Sequence, residues 1–155
     1  MSTIAIVLSL ATHVAYGAYD QPYNIPETEP PYGATPEEVT SALTDCDKNQ
    51  VNINICAWDS YRNSLEALAK AVARVRDALA DSKERLVRLD RAQKAWAESR
   101  NSDCYLEASA VDSGTMLWQV AYDCRTRLTN LRAVHLESVA KCAADWNNCS
   151  ETQPE

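Results

Sequence analysis

The chain has 155 residues, 46% of them apolar and 24% charged, the proportions of one packed domain. Its formal net charge of −7 argues against nucleic acid and anionic membrane as partners and would steer a basic protein toward it. Three glycines, no phenylalanine, four tryptophans and six cysteines disfavour a turn-rich β protein and favour long helices held by disulfides in an oxidising compartment.

In chain order, residues 1–17 read as a signal peptide, with an apolar stretch from Ile4 to Ala11 and small residues at Ala15 and Gly17 ahead of a cut before Ala18. The apolar run is shorter than the roughly 20 residues a membrane span needs, so membrane attachment is expected only through an uncleaved copy of this segment. Residues 18–34 hold four prolines and three tyrosines without helical period and read as an extended tether carrying little structure. Thr35, Pro36, Glu37 and Glu38 form a helix start, with a hydroxyl cap, proline at the first helical position and carboxylates in the first turn; the helix should end near Cys46.

From Asn52 the pattern becomes heptad. Tyr61, Leu65, Leu68, Val72, Val75 and Leu79 alternate steps of four and three, which predicts a long helix whose mixed charges, Arg62, Glu66, Lys70, Arg74 and Asp77, form its solvated face. A tight turn at residues 80–83, capped by Asp81 or Ser82, leads into a second long helix ending near Ser109. Winding that helix at about 100° per residue places Leu86, Leu89, Gln93, Trp96, Arg100 and Cys104 on one stripe, so Gln93 and Arg100 face the core. Residues 111–115, VDSGT, supply the next turn, with Asp112 or Ser113 as cap. Leu117, Ala121, Cys124, Leu128, Leu131, His135, Val139 and Cys142 then mark the seam of a last long helix. Residues 146–149 should curl back after it, and residues 150–155 read as a flexible tail. The fold class is all-α: an antiparallel bundle of three long helices plus one short N-terminal helix, stapled by disulfides, over residues 35–149.

Sorted by height in such a bundle, Cys46, Cys56, Cys104 and Cys124 share one end. Cys142 stands 18 residues beyond Cys124, about 27 Å along a helix axis, and is therefore paired with Cys149. The other four allow three connectivities; Cys46 with Cys56 and Cys104 with Cys124 is the most local, and pairings that join different helices remain open. No CxxC spacing occurs, and the two histidines are His13 in the signal segment and His135 toward the opposite end from the cysteine cluster. No metal or cofactor site is expected. No serine, cysteine or carboxylate constellation points to catalysis, so a non-enzymatic protein is expected.

Cys46, Asn54, Cys56, Ala57, Tyr61 and Leu65, then Ala92, Gln93, Ala95, Trp96, Arg100 and Cys104, then Cys124, Thr126 and Arg132 form an ordered pattern. It resembles the N-terminal domain of the LprI-like lysozyme inhibitors, exported bacterial helical domains, over about residues 45–138, with the AQxAWxxxRxxxC run its most specific part. The resemblance implies a periplasmic or secreted protein of the cell envelope that binds and blocks a basic host enzyme, c-type lysozyme. Where that pattern commonly has an aspartate after the arginine, this chain has Asn101, with Asp103 two places on, and the Cys142 and Cys149 pair is an addition.

Gln93, Trp96 and Arg100 read as structural parts of the motif, a polar pair fixing helix register, with Asp45, Asp47 and Asp123 as acidic partners of Arg100; the competing role is ligand contact. For partner binding, Asp112, Ser113 and Thr115 of the turn, with Glu107 nearby, could bond the catalytic groups of a glycosidase, although the same residues also make an ordinary capped helix connection. A different reading is a non-inhibitory envelope module, structural or binding glycan or protein, with Trp58, Trp96 or Trp118 stacking on sugar. Trp58, off the heptad stripe, is expected to be exposed, Trp96 to be core and His135 to lie on a seam.

Overall fold

A computed structural model describes residues 25–112, 114–145 and Cys149; the expected signal peptide, the start of the tether, Ser113, Trp146 to Asn148 and the tail lie outside the described residues. The described chain is all-α, with four helices and, among the described residues, no strand. Helix α1 (Pro36–Leu43) opens on a complete capping box: the Thr35 hydroxyl accepts from the Glu38 amide at 3.3 Å and the Glu38 carboxylate accepts from the Thr35 amide at 2.8 Å. Asn49 caps α2 (Gln50–Ala78) and Ser82 caps α3 (Lys83–Ala108), each accepting from the amide three residues on. A single 3-10 turn, Ser109–Val111, leads from α3 toward α4 (Leu117–Ala144).

The start of α4 departs from expectation. Its preceding residue, Met116, offers no side-chain cap, and neither Asp112 nor any other described residue of the turn takes that place. Asn54 of α2 does so from another helix. Its Oδ1 accepts the Gln119 amide at 3.1 Å, one of the N-terminal N–H groups that α4 itself cannot satisfy, and its Nδ2 donates to the Thr115 carbonyl at 3.0 Å. Asn54 is fully buried, and Gln50 also donates to its Oδ1 at 3.0 Å.

Contacts advance together along α2 and α4, from Asn54 with Gln119 to Arg74 with Glu137. They run in opposite senses along α3 and α4, from Cys104 with Cys124 to Gln93 with Arg132. Two apolar clusters result. One gathers Trp58, Tyr61, Ala108, Leu117, Ala121 and Tyr122; the other Leu68, Ala71, Val75, Leu79, Leu89, Leu136 and Ala140. Ser64, Arg100, Arg125 and Thr129, all buried, form the polar layer that the helices carry between them.

The α2 heptad packs as predicted, with Tyr61, Leu68, Val75 and Leu79 buried and Leu65 and Val72 at its edges. The α4 seam does not. Beyond Cys124 the buried stripe passes through Arg125, Thr129, Ala133, Leu136 and Ala140, while Leu131 is 61% exposed and His135 lies on the surface. Apolar spacing misses this stripe because two of its members are polar. Trp58, expected outside, is buried, and Trp96 is only partly covered.

All three disulfides join cysteines consecutive in sequence: Cys46 with Cys56, Cys104 with Cys124, and Cys142 with Cys149. The most local connectivity is the one formed.

Replacing Asn54 by alanine strips the Gln119 amide and the Thr115 carbonyl of their partner and empties a fully buried polar position. Urea unfolding of the oxidised protein should show a loss of about 2–4 kcal/mol, without change in helix content at low denaturant.

Candidate functional site

The tether expected to carry little structure packs as a strap over residues 25–34. Ile25 is buried in the cluster of Trp58, Tyr61 and Tyr122, its amide donating to the Tyr105 hydroxyl at 3.3 Å and its carbonyl accepting from Arg125 at 3.1 Å. The Tyr122 hydroxyl donates to the Pro26 carbonyl at 2.9 Å. Further along, Pro31 is buried and Tyr32 and Gly33 both adopt left-handed backbone, φ 63 and 65. A tyrosine there is strained, and it is held by packing of its ring on Trp118, 5.5 Å between centroids, and by a hydrogen bond from Asn54 to its hydroxyl.

The strap closes over a ladder of guanidiniums and rings. The Arg132 guanidinium stands 5.7 Å from the Trp96 ring, and that ring is 5.1 Å from the Arg100 guanidinium. Arg100 is 5.3 Å from Tyr61, and Tyr61 is 5.8 Å from Arg125, which also faces Tyr105 and Tyr122. Arg100 is 3% exposed and pairs at 2.5 Å with Glu27 of the strap; the Asn101 side-chain oxygen accepts from its Nε and Nη2, and Thr129 accepts at 3.4 Å. The acidic partner is thus Glu27 and not Asp45, Asp47 or Asp123. Nothing in the sequence signals a carboxylate 73 residues away. Gln93, half-buried, accepts from Arg132 at 2.8 Å, so this motif residue orients the ladder's outer cation.

Burial pushes the Tyr61 phenol up to about 12, with Arg100 opposing the rise and Glu27 adding to it. Burial raises Tyr122 as well, again against the pull of Arg125.

The α3–α4 turn lies at the end of the molecule that bears two of the disulfides. Asp112 and Thr115 are exposed, Ser113 lies outside the described residues, and Glu107 is held at 2.7 Å by Arg127. Gly114 sits where a Cβ would meet the Val111 carbonyl oxygen at 3.0 Å, a tight approach that a side chain there would have to relieve by shifting the turn. Apolar spacing gave no reason to single out Leu106, 75% exposed, or Met116, 45% exposed, yet both flank this turn. Exposed Tyr32, Leu43 and Val51 stand on the strap, α1 and the start of α2 at the same end. Among the described residues no group of three His, Cys, Asp or Glu side chains is placed to hold a metal ion, and no helix is long and apolar enough to cross a membrane.

Helices stapled by disulfides, a buried polar layer that ties the strap to the helices and an exposed apolar and acidic turn define a disulfide-linked all-α domain. A family model described as "Lysozyme inhibitor LprI" matches residues 44–136, and the chain belongs to that family, one of inhibitors. No curated protein and no solved structure matches. The matched region holds Asn54, Gln93, Trp96, Arg100 and the first two disulfides; Glu27 with the strap, and the third disulfide, lie outside it.

Glu27→Gln leaves a buried guanidinium with only neutral partners, amide and hydroxyl, and should cost about 1–3 kcal/mol in urea unfolding. In an Arg100→Met background the same change should cost almost nothing, a coupling that a double-mutant cycle reads directly. A second expectation concerns alkaline pH. Unfolded tyrosine ionises near 10 while Tyr61 does so near 12, so the stability is fully present below pH 10 and falls as pH rises from about 10 to 12. Spectrophotometric titration should show delayed phenols over the window in which urea midpoints decline.

Proposed function

We propose that this chain is an exported protein, periplasmic or secreted, that binds and blocks a c-type lysozyme, built on an antiparallel bundle of three long helices. Family membership carries the reading. Three disulfides with no free cysteine among the described residues fit an oxidising compartment, and the apolar segment ahead of Ala18 supports export through a signal peptide. The net charge of −7 suits a basic enzyme, raising the rate of encounter and orienting the approach.

The turn between α3 and α4 is the surface we assign to the partner. Leu106 and Met116 supply apolar contact that a solvent-facing turn does not need, and Asp112 supplies negative charge beside it. The hydroxyls of Ser113 and Thr115 can donate to a glycosidase's catalytic carboxyl, while Glu107, fixed by Arg127, extends the acidic rim. Occlusion of the cleft by this turn requires no chemistry from the inhibitor. Glycan stacking gains no support from the tryptophans: Trp58 is 4% exposed, Trp96 lies between two guanidiniums, and Trp118 packs against Tyr32 and Tyr122.

The purified protein starting at Ala18 should slow lysozyme-driven clearing of a bacterial cell-wall suspension, and less so as salt rises past about 0.15 M. Absence of any slowing sinks the function. The variant Leu106→Ser, Asp112→Ala, Met116→Ser should weaken inhibition by at least about tenfold with its circular dichroism unchanged. Full inhibition by that variant would instead exclude this face and leave the function standing.

A further inference from the structure

Between the strap and α3 lies a cleft of about 400 Å³, walled by residues 25–27 and by Glu98, Asn101, Ser102 and Tyr105, with Arg125 lining its inner side. Arg125 is 2% exposed. Among the described residues its one acceptor is the Ile25 carbonyl, its Nε has none, and no carboxylate lies within ion-pair distance. Arg100, in the same layer, has Glu27, Asn101 and Thr129. The tyrosine rings around Arg125, at 5.6 to 6.0 Å, take the face of the guanidinium and offer its in-plane donors nothing. A dehydrated guanidinium with an unused edge is costly, and that edge has the geometry of a carboxylate fork.

The rim supplies the opposite charge. Glu98 has no cation within ion-pair distance among the described residues, whereas Glu27 is already engaged by Arg100. Among the described residues, one cleft therefore holds a buried cation without a carboxylate partner inside and an exposed anion without a cation partner at its mouth. A plain anion satisfies the first and is repelled by the second. We infer that the cleft binds a small zwitterion of the α-amino acid class, free or as a dipeptide, with its carboxylate on the edge of Arg125 and its ammonium toward Glu98. The site is separate from the α3–α4 turn, and its occupancy does not depend on lysozyme.

The test uses the chain from Ala18 with ¹⁵N-labelled arginine and follows the Arg125 Nε–Hε resonance during titration with glycine, glycylglycine, glycinamide and acetate. Glycine or glycylglycine should shift it saturably, and the stronger of the two identifies the free or the peptide form. Glycinamide, which lacks the carboxylate, and acetate, which lacks the ammonium, should each bind at least about tenfold more weakly. Glu98→Gln, on the exposed rim, should weaken glycine or glycylglycine by a similar factor while leaving acetate unchanged or improved. Arg125→Lys, which has no such resonance to follow, should abolish the saturable heat of glycine or glycylglycine binding in titration calorimetry; if that core variant does not fold, Glu98→Gln alone decides. No saturable shift with either zwitterion, equal binding of glycinamide, or indifference to Glu98→Gln would overturn the proposal. So would a Glu98→Gln protein that is destabilised in the absence of any binding, since Glu98 would then be the counter-ion of Arg125 itself.

Discussion

A guanidinium taken out of water must recover its solvation from the protein, and two of them, Arg100 and Arg125, sit in the middle of this helical core. Much of the structure follows from that constraint. The four buried or half-buried rings of Trp96, Tyr61, Tyr105 and Tyr122 line the layer because ring faces can cover a planar cation without competing for its in-plane donors. The strap is ordered because it brings a carboxylate and a carbonyl to groups the helices alone leave unpaired. The disulfide between α3 and α4 sits beside the same layer, Cys104 one turn after Arg100 and Cys124 next to Arg125, and it fixes the spacing of the helices that carry the two charges.

The same constraint explains why the motif of Gln93, Trp96, Arg100 and Cys104 identifies the family better than it identifies a working surface. Each of these side chains is turned toward another part of the protein: Gln93 to Arg132, Trp96 to two guanidiniums, Arg100 to Glu27, Cys104 to Cys124. Specificity of helix register is the role such buried polar sets perform best. Side chains with no such partner inside the protein, Leu106 and Met116 among them, stand exposed around the α3–α4 turn instead.

Local rules made much of this legible. Thr35, Pro36 and Glu38 announce a capping box, and Ser82 announces a cap, because each acts on its own first turn. The heptad of α2 is readable because its buried members are apolar. Legibility stops where a long-range polar contact replaces a local one. Asn54 caps a helix 65 residues away, Glu27 neutralises an arginine 73 residues away, and Arg125 and Thr129 continue a seam that apolar spacing diverts to Leu131 and His135. Proline content likewise suggests a loose strap, since what orders residues 25–34 is carried by α2, α3 and α4. The exposed Leu106 and Met116 were hidden for a related reason, because exposure of an apolar side chain at a helix end is decided by what packs beside it.

The disulfide pattern has a consequence for how the molecule acquires its covalent form. First cysteine pairs with second, third with fourth, fifth with sixth, across separations of 10, 20 and 7 residues. A chain entering an oxidising compartment amino terminus first exposes each cysteine just before its native mate, so an indiscriminate oxidant that joins thiols in order of arrival generates the native set. Shuffling of mispaired bonds, slow even when catalysed, is then unnecessary. The long-range assembly of α2 against α4 is left entirely to noncovalent contacts, which can be made and broken freely until the strap closes.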